Sequence, residues 1–187
     1  MQKKDLNLRI GTLSIIIIAA AAMRLFPHPV GFAPIGAMAL FGGAYFGKKW
    51  QSFFIPLTAL WISDIALNYA FYHNVVLFHD MFLWVYGAFA LNVLIGKCLI
   101  KKVKVSSITS ASLIAALMFY LITNLGVWMS TGLLAMYPHT PAGLFACYVA
   151  GLPYLGGSVL SNLFYSGLFF GTFEFFQKKY PALSLNA

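Results

Sequence analysis

The amino-acid sequence predicts an all-α polytopic membrane protein of six transmembrane helices with both termini cytoplasmic, and three observations carry that prediction. Of its 187 residues 61% are hydrophobic and only 9% charged, where a soluble domain carries about 25% charged residues. Eighteen Phe, ten Tyr and four Trp leave too little polar surface to cover a globule in water, which excludes a soluble enzyme; a disordered chain would show the opposite bias. Third, all but one of the twelve Lys and Arg residues fall into four clusters: Lys3, Lys4 and Arg9; Lys48 and Lys49; Lys97, Lys101, Lys102 and Lys104; Lys178 and Lys179. Only Arg24 stands apart. A net charge of +8 would suggest nucleic acid for a soluble protein, but here the basic residues sort by membrane side, so the surrounding partner is the lipid bilayer and no nucleic acid is expected.

The gaps between clusters are roughly 38, 47 and 73 residues, and a crossing needs about 20 apolar residues, so each gap holds two helices. Basic loops stay cytoplasmic, which puts both chain ends and both basic loops inside. The helices are expected near Leu8–Phe26, Ala33–Gly47, Trp50–Tyr72, Met81–Ile100, Ile108–Ser130 and Leu152–Gln177. The second is short. The outer connections are Pro27–Phe32, His73–Asp80 and Thr131–Gly151, and they contain all four histidines: His28, His73, His79 and His139. The third connection is too long and apolar for a plain loop, so a half-helix lying against the bundle is expected within it, started by Pro141. A basic start followed by Ile10–Ala22 also fits a cleavable leader; the reading adopted keeps it as the first helix. No internal repeat or linker is visible, so residues 1–187 form one domain.

Catalytic and cofactor motifs are mostly missing, and neither a cofactor nor a metal site is expected. Gly42 through Lys48 matches the first seven positions of a phosphate-binding loop, but Lys49 stands where Ser or Thr would bind magnesium, and the segment ends a hydrophobic helix. No ATP hydrolysis follows from it. Cys98 and Cys147 fall on opposite membrane sides and cannot bond.

Polar residues at membrane depth are the candidate site. Asp64 on the third helix and Arg24 on the first lie at similar outer depths, and each alone would cost about 2.5–3.5 kcal/mol on insertion scales, so a structural Arg24–Asp64 charge pair facing the bundle interior is expected. The alternative is that Arg24 contacts an anionic or amide-bearing ligand. Asn124 and Trp128, four apart, share a face of the fifth helix and together suit a ring-bearing ligand. Asn162 and Tyr165 on the sixth helix, Trp84 and Tyr86 on the fourth, and His139 and Tyr148 in the third outer connection add polar and aromatic groups. The aromatics also fit an interfacial belt, and the asparagines also fit helix-to-helix hydrogen bonding. Ala39, Gly43 and Gly47 recur every four residues, Ala33 and Ala37 do the same one face over, and Ala19–Ala22 offers a flat surface. Such small residues let helices approach closely, inside the bundle or against a partner.

The strings Phe32-Ala-Pro-Ile-Gly-Ala-Met-Ala-Leu-Phe-Gly-Gly-Ala44, Ser63-Asp64, Thr123-Asn124 through Trp128, and Tyr137-Pro-His-Thr-Pro-Ala-Gly-Leu144 with Gly151-Leu-Pro153 resemble an uncharacterised bacterial membrane family that is S-component-like. In architecture the chain is similar to the substrate-binding S component of energy-coupling-factor vitamin transporters. The resemblance runs from about Arg24 to Glu174. It implies an S-component-like bundle in a bacterial cytoplasmic membrane, with an outer ligand pocket closed by the outer connections and lined by helices four to six. It also implies docking on a membrane coupling subunit driven by cytoplasmic ATPases, often through Ala-x-x-x-Ala on the first helix. Here Ala19 is followed by Met23.

The expected function is binding and uptake of a small organic micronutrient from the outer side, by a non-enzyme whose pocket includes Arg24, Trp84, Asn124, Trp128, His139, Tyr148 and Asn162. The four outer histidines leave room for a metal-containing ligand such as a cobalamin. The competing reading is a membrane scaffold or assembly protein that binds another membrane protein. A third is an intramembrane enzyme using Asp64 or Glu174, without the accompanying nucleophile, metal cluster or carboxylate pair that chemistry requires.

Overall fold

A computed structural model describes residues 3–131 and 135–184. Six helices follow in order: α1 (Lys3–Met23), α2 (Ile35–Tyr45), α3 (Lys49–Tyr72), α4 (Phe82–Leu99), α5 (Val105–Met129) and α6 (Pro141–Lys179), with a short 3-10 turn at Pro181–Leu183. No strand occurs among the described residues. Among the described residues five helices are long and apolar enough to cross a membrane, and the protein is a multi-pass membrane protein. The 11-residue α2 rises only about 16 Å, about half a hydrocarbon core.

Short as it is, α2 is the centre of the bundle. It touches each of the other five helices, and nine of its residues are buried. Its composition explains how so many neighbours fit. A Cβ on Gly43 would run into the Val93 carbonyl of α4 and lie 3.0 Å from the Lys97 nitrogen, while one on Gly96 of α4 would lie 2.8 Å from the Leu40 Cα. The two glycines therefore bring α2 and α4 into backbone contact, as small residues do in membrane interfaces. Ala37 and Ala39 are also fully buried, whereas Gly47, past the helix end, has open space beside it. On α1, Ala20 and Ala21 are buried, with Ala19 and Ala22 exposed. The Gly42–Lys48 segment is thus helix packing followed by a turn.

At one end of the bundle the basic clusters gather. Arg9 donates to the Leu183 carbonyl and lies 5.2 Å from the centre of the Phe173 ring. Tyr45 donates to Glu174 at 2.5 Å. Lys97 donates to the Ser52 hydroxyl at 3.4 Å, which itself caps the Phe46 carbonyl at 3.0 Å. By the positive-inside rule this common basic end is the one expected on the cytoplasmic side. At the other end lie the connections 24–34, 73–81 and 130–140, which carry all four histidines. Part of the third, residues 132–134, lies outside the described residues.

One expectation is corrected. The half-helix starting at Pro141 and the sixth helix are a single continuous 39-residue helix rather than two segments. Thr140 caps it, its hydroxyl accepting from the Gly143 N–H at 3.1 Å, and Pro141 supplies the first-turn residue that needs no donor. Pro153 lies inside the helix without ending it, as membrane helices tolerate. At about 58 Å for these 39 residues, α6 exceeds a hydrocarbon core of about 30 Å, so its ends project into the interfacial regions.

Candidate functional site

The outer half of the bundle is hollow. A cavity of about 540 Å³ is lined by the connection into α2, by the middle of α4, by the outer half of α5 and by the first half of α6. Its polar groups are chiefly amides and hydroxyls: Asn92, Thr123, Asn124, Ser158 and Asn162; its aromatic walls are Phe119, Tyr120, Tyr137 and Tyr154. No Asp, Glu, Lys, Arg or His lines it among the described residues.

Local packing fixes these groups. Asn124 Nδ2 donates to the Tyr120 carbonyl one turn back, at 2.8 Å, and its amide stands against Gly151 of α6, where a Cβ would collide with it. Asn162 Nδ2 donates across to the Ser112 carbonyl of α5 at 3.1 Å, and its amide fills the space beside Gly36 of α2. Two tyrosines hold α5 to α6 in reciprocal fashion: Tyr120 donates to the Tyr148 carbonyl at 2.5 Å and Tyr148 to the Leu121 carbonyl at 2.9 Å. On the α2 side, Gly31 adopts φ +72° against the Tyr154 backbone, a conformation only glycine takes easily. Ser161 ties the same segment down by donating to the Ala33 carbonyl.

Asn92 is the exception. It is fully buried, yet neither its Oδ1 nor its Nδ2 has a hydrogen-bond partner among the described residues.

Of the residues expected to bind ligand, Asn124 and Asn162 line the cavity and the other five do not. Arg24 and Asp64 form an ion pair at 2.6 Å, with side chains 9% and 13% exposed. Arg24 also donates to Ser63 and to the Leu60 carbonyl at 3.4 Å, leaving only Nε without a partner among the described residues. Tyr86 donates to the second Asp64 oxygen at 2.7 Å, and His79 Nε2 lies 4.0 Å from it. These contacts fasten the end of α1 to α3 and α4, and none of these residues lines the cavity. Trp84 packs on Gly126. Trp128 donates to the Pro138 carbonyl at 3.0 Å and meets His139 edge to face at 5.5 Å, closing the α5–α6 connection. Tyr148 is spent on α5 as described.

Asn92, Tyr120, Tyr154 and Ser158 were not singled out by the sequence. The signal was there for Asn92, a lone amide in the otherwise apolar run Ala88–Ile95. Glu174 is held by Tyr45 at the basic end, and neither it nor Asp64 faces the cavity. Cys98 and Cys147 are both free, the first exposed and the second buried. No cluster of three metal-ligating side chains occurs among the described residues.

The chain belongs to a family of unknown function, DUF6580, which matches residues 4–183. Comparison with curated proteins and with solved structures gives no match. Membership supplies a family and no activity.

Proposed function

We propose that this membrane protein binds a small, ring-bearing organic compound from the outer side and helps move it inward, as an S-component-like uptake protein of a bacterial cytoplasmic membrane. The observation that carries the reading is the cavity: about 540 Å³, within the range of about 300–1,000 Å³ typical of small-molecule sites. Three amides from three different helices converge on it between aromatic walls. A scaffold protein has no need of such a hollow, since filling it with side chains would stabilise the bundle. The absence of histidine from the described lining directs the proposal to a metal-free ligand. A membrane coupling subunit with cytoplasmic ATPases is the partner that the S-component resemblance implies for this role.

The test is to release whatever compound copurifies with the full-length protein in detergent and titrate it back by calorimetry. The reading expects the Asn124→Ala, Asn162→Ala double variant to bind it at least about tenfold more weakly, since each lost hydrogen bond to a buried group contributes about 1–3 kcal/mol. Unchanged affinity in a folded double variant would contradict it.

A further inference from the structure

Asn92 marks what kind of molecule the cavity takes. Its neighbours in the lining, Asn124 and Asn162, each tie an amide hydrogen to the α5 backbone, so unpaired asparagines are not the rule in this bundle. Among the described residues Asn92 ties neither end. A buried amide with nothing to bond is costly, and an element that keeps one beside a cavity has a use for both its donor and its acceptor.

A primary amide presents N–H and C=O side by side. Its complement is an edge with an acceptor beside a donor, and the two hydrogen bonds then close together, as asparagine does on the edge of adenine. The described walls contain no charged side chain, so a carboxylate, phosphate or ammonium group would enter without a counter-charge at membrane depth. Phe119, Tyr120, Tyr137 and Tyr154 offer faces to a flat ring. We propose that the cavity selects an uncharged heterocycle carrying a hydrogen-bond donor next to an acceptor on one edge, as in a cyclic amide or an amino-azine, and that Asn92 reads that edge. This rests on the reading that the cavity holds an organic ligand.

Three probes separate the possibilities in the full-length, detergent-solubilised protein: 2-quinolone, which has the cyclic-amide edge; 4-aminoquinazoline, which has the amino-azine edge; and 1-methyl-2-quinolone, which keeps ring and carbonyl but lacks the donor. The proposal expects one or both edge-bearing probes to bind at least about tenfold more tightly than the methylated one, with the tighter of the two identifying the edge type. In Asn92→Leu that preference disappears. Ligand-free Asn92→Leu should also melt at a higher temperature than the native protein, because the unpaired amide is gone. Equal binding of all three probes would overturn the edge reading and leave ring binding standing; binding of none would overturn both. A lower melting temperature for Asn92→Leu would assign the amide a structural bond and overturn its role as reader.

Discussion

Asn162 of α6 occupies the space that a side chain on Gly36 of α2 would need. The amide's position, and with it one wall of the cavity, therefore depends on a missing methyl group on another helix. Gly36→Ala should displace the Asn162 amide and weaken binding of the copurifying compound by about tenfold or more, as the loss of one buried hydrogen bond predicts. Helix propensity favours Ala over Gly by about 1 kcal/mol, so local helix loss is not the cause. Calorimetry on the variant checks it.

Gly96 gives the contrasting case, where the neighbour is backbone. A Cβ there would meet the Leu40 Cα at 2.8 Å and its carbonyl carbon at 3.0 Å, and no rotamer change relieves that. Gly96→Ala should destabilise the protein by about 1–3 kcal/mol through overpacking. Gly87→Ala, on the same helix with nothing within 4 Å, should not. Thermal unfolding of the two variants side by side decides.

The Arg24–Asp64 pair predicts non-additive stability. Removing one partner of a buried pair leaves the other charge uncompensated, at about 3–5 kcal/mol. Asp64→Ala should melt well below the Asp64→Ala, Arg24→Ala double variant, read by thermal unfolding in detergent. Equal melting of single and double variants would dissolve the pair's role as a clasp.

Orientation is tested by labelling. In a background with Cys98→Ser and Cys147→Ser, a cysteine at His139 should react with a membrane-impermeant maleimide applied from outside, and one at Lys101 should not. The reverse pattern would invert the topology drawn from the basic clusters.

Much of the fold was legible because its signals are chemical and local. Apolar runs separated by lysine clusters give the helices and the basic end, and Pro141 marks the start of a helical segment that the structure makes the first part of α6. The continuity of α6 was not legible, because Gly151-Leu-Pro153 reads as a break, and only the surrounding helices decide whether a proline interrupts a membrane helix. The candidate site divides the same way. Asn124 and Asn162 stand out as amides in apolar sequence, and Arg24 stands out as a lone charge, whose partner Asp64 is not part of the cavity lining. Trp84, Trp128 and Tyr148 were drawn to the site by side-chain type. Their faces and hydroxyls are consumed in helix packing, which depends on rotation about each helix axis and is not written in spacing alone. Asn92 needed the cavity to give it meaning.

The most direct measurement of the central claim is mass spectrometry of the small molecules released from the purified full-length protein and from Ser158→Phe, in which a ring is built into the cavity wall. The account predicts one ring-containing compound, close to one per native protein, and little or none from a Ser158→Phe variant that remains folded. Equal release from both, or no organic compound from the native protein, would contradict a ligand-binding cavity.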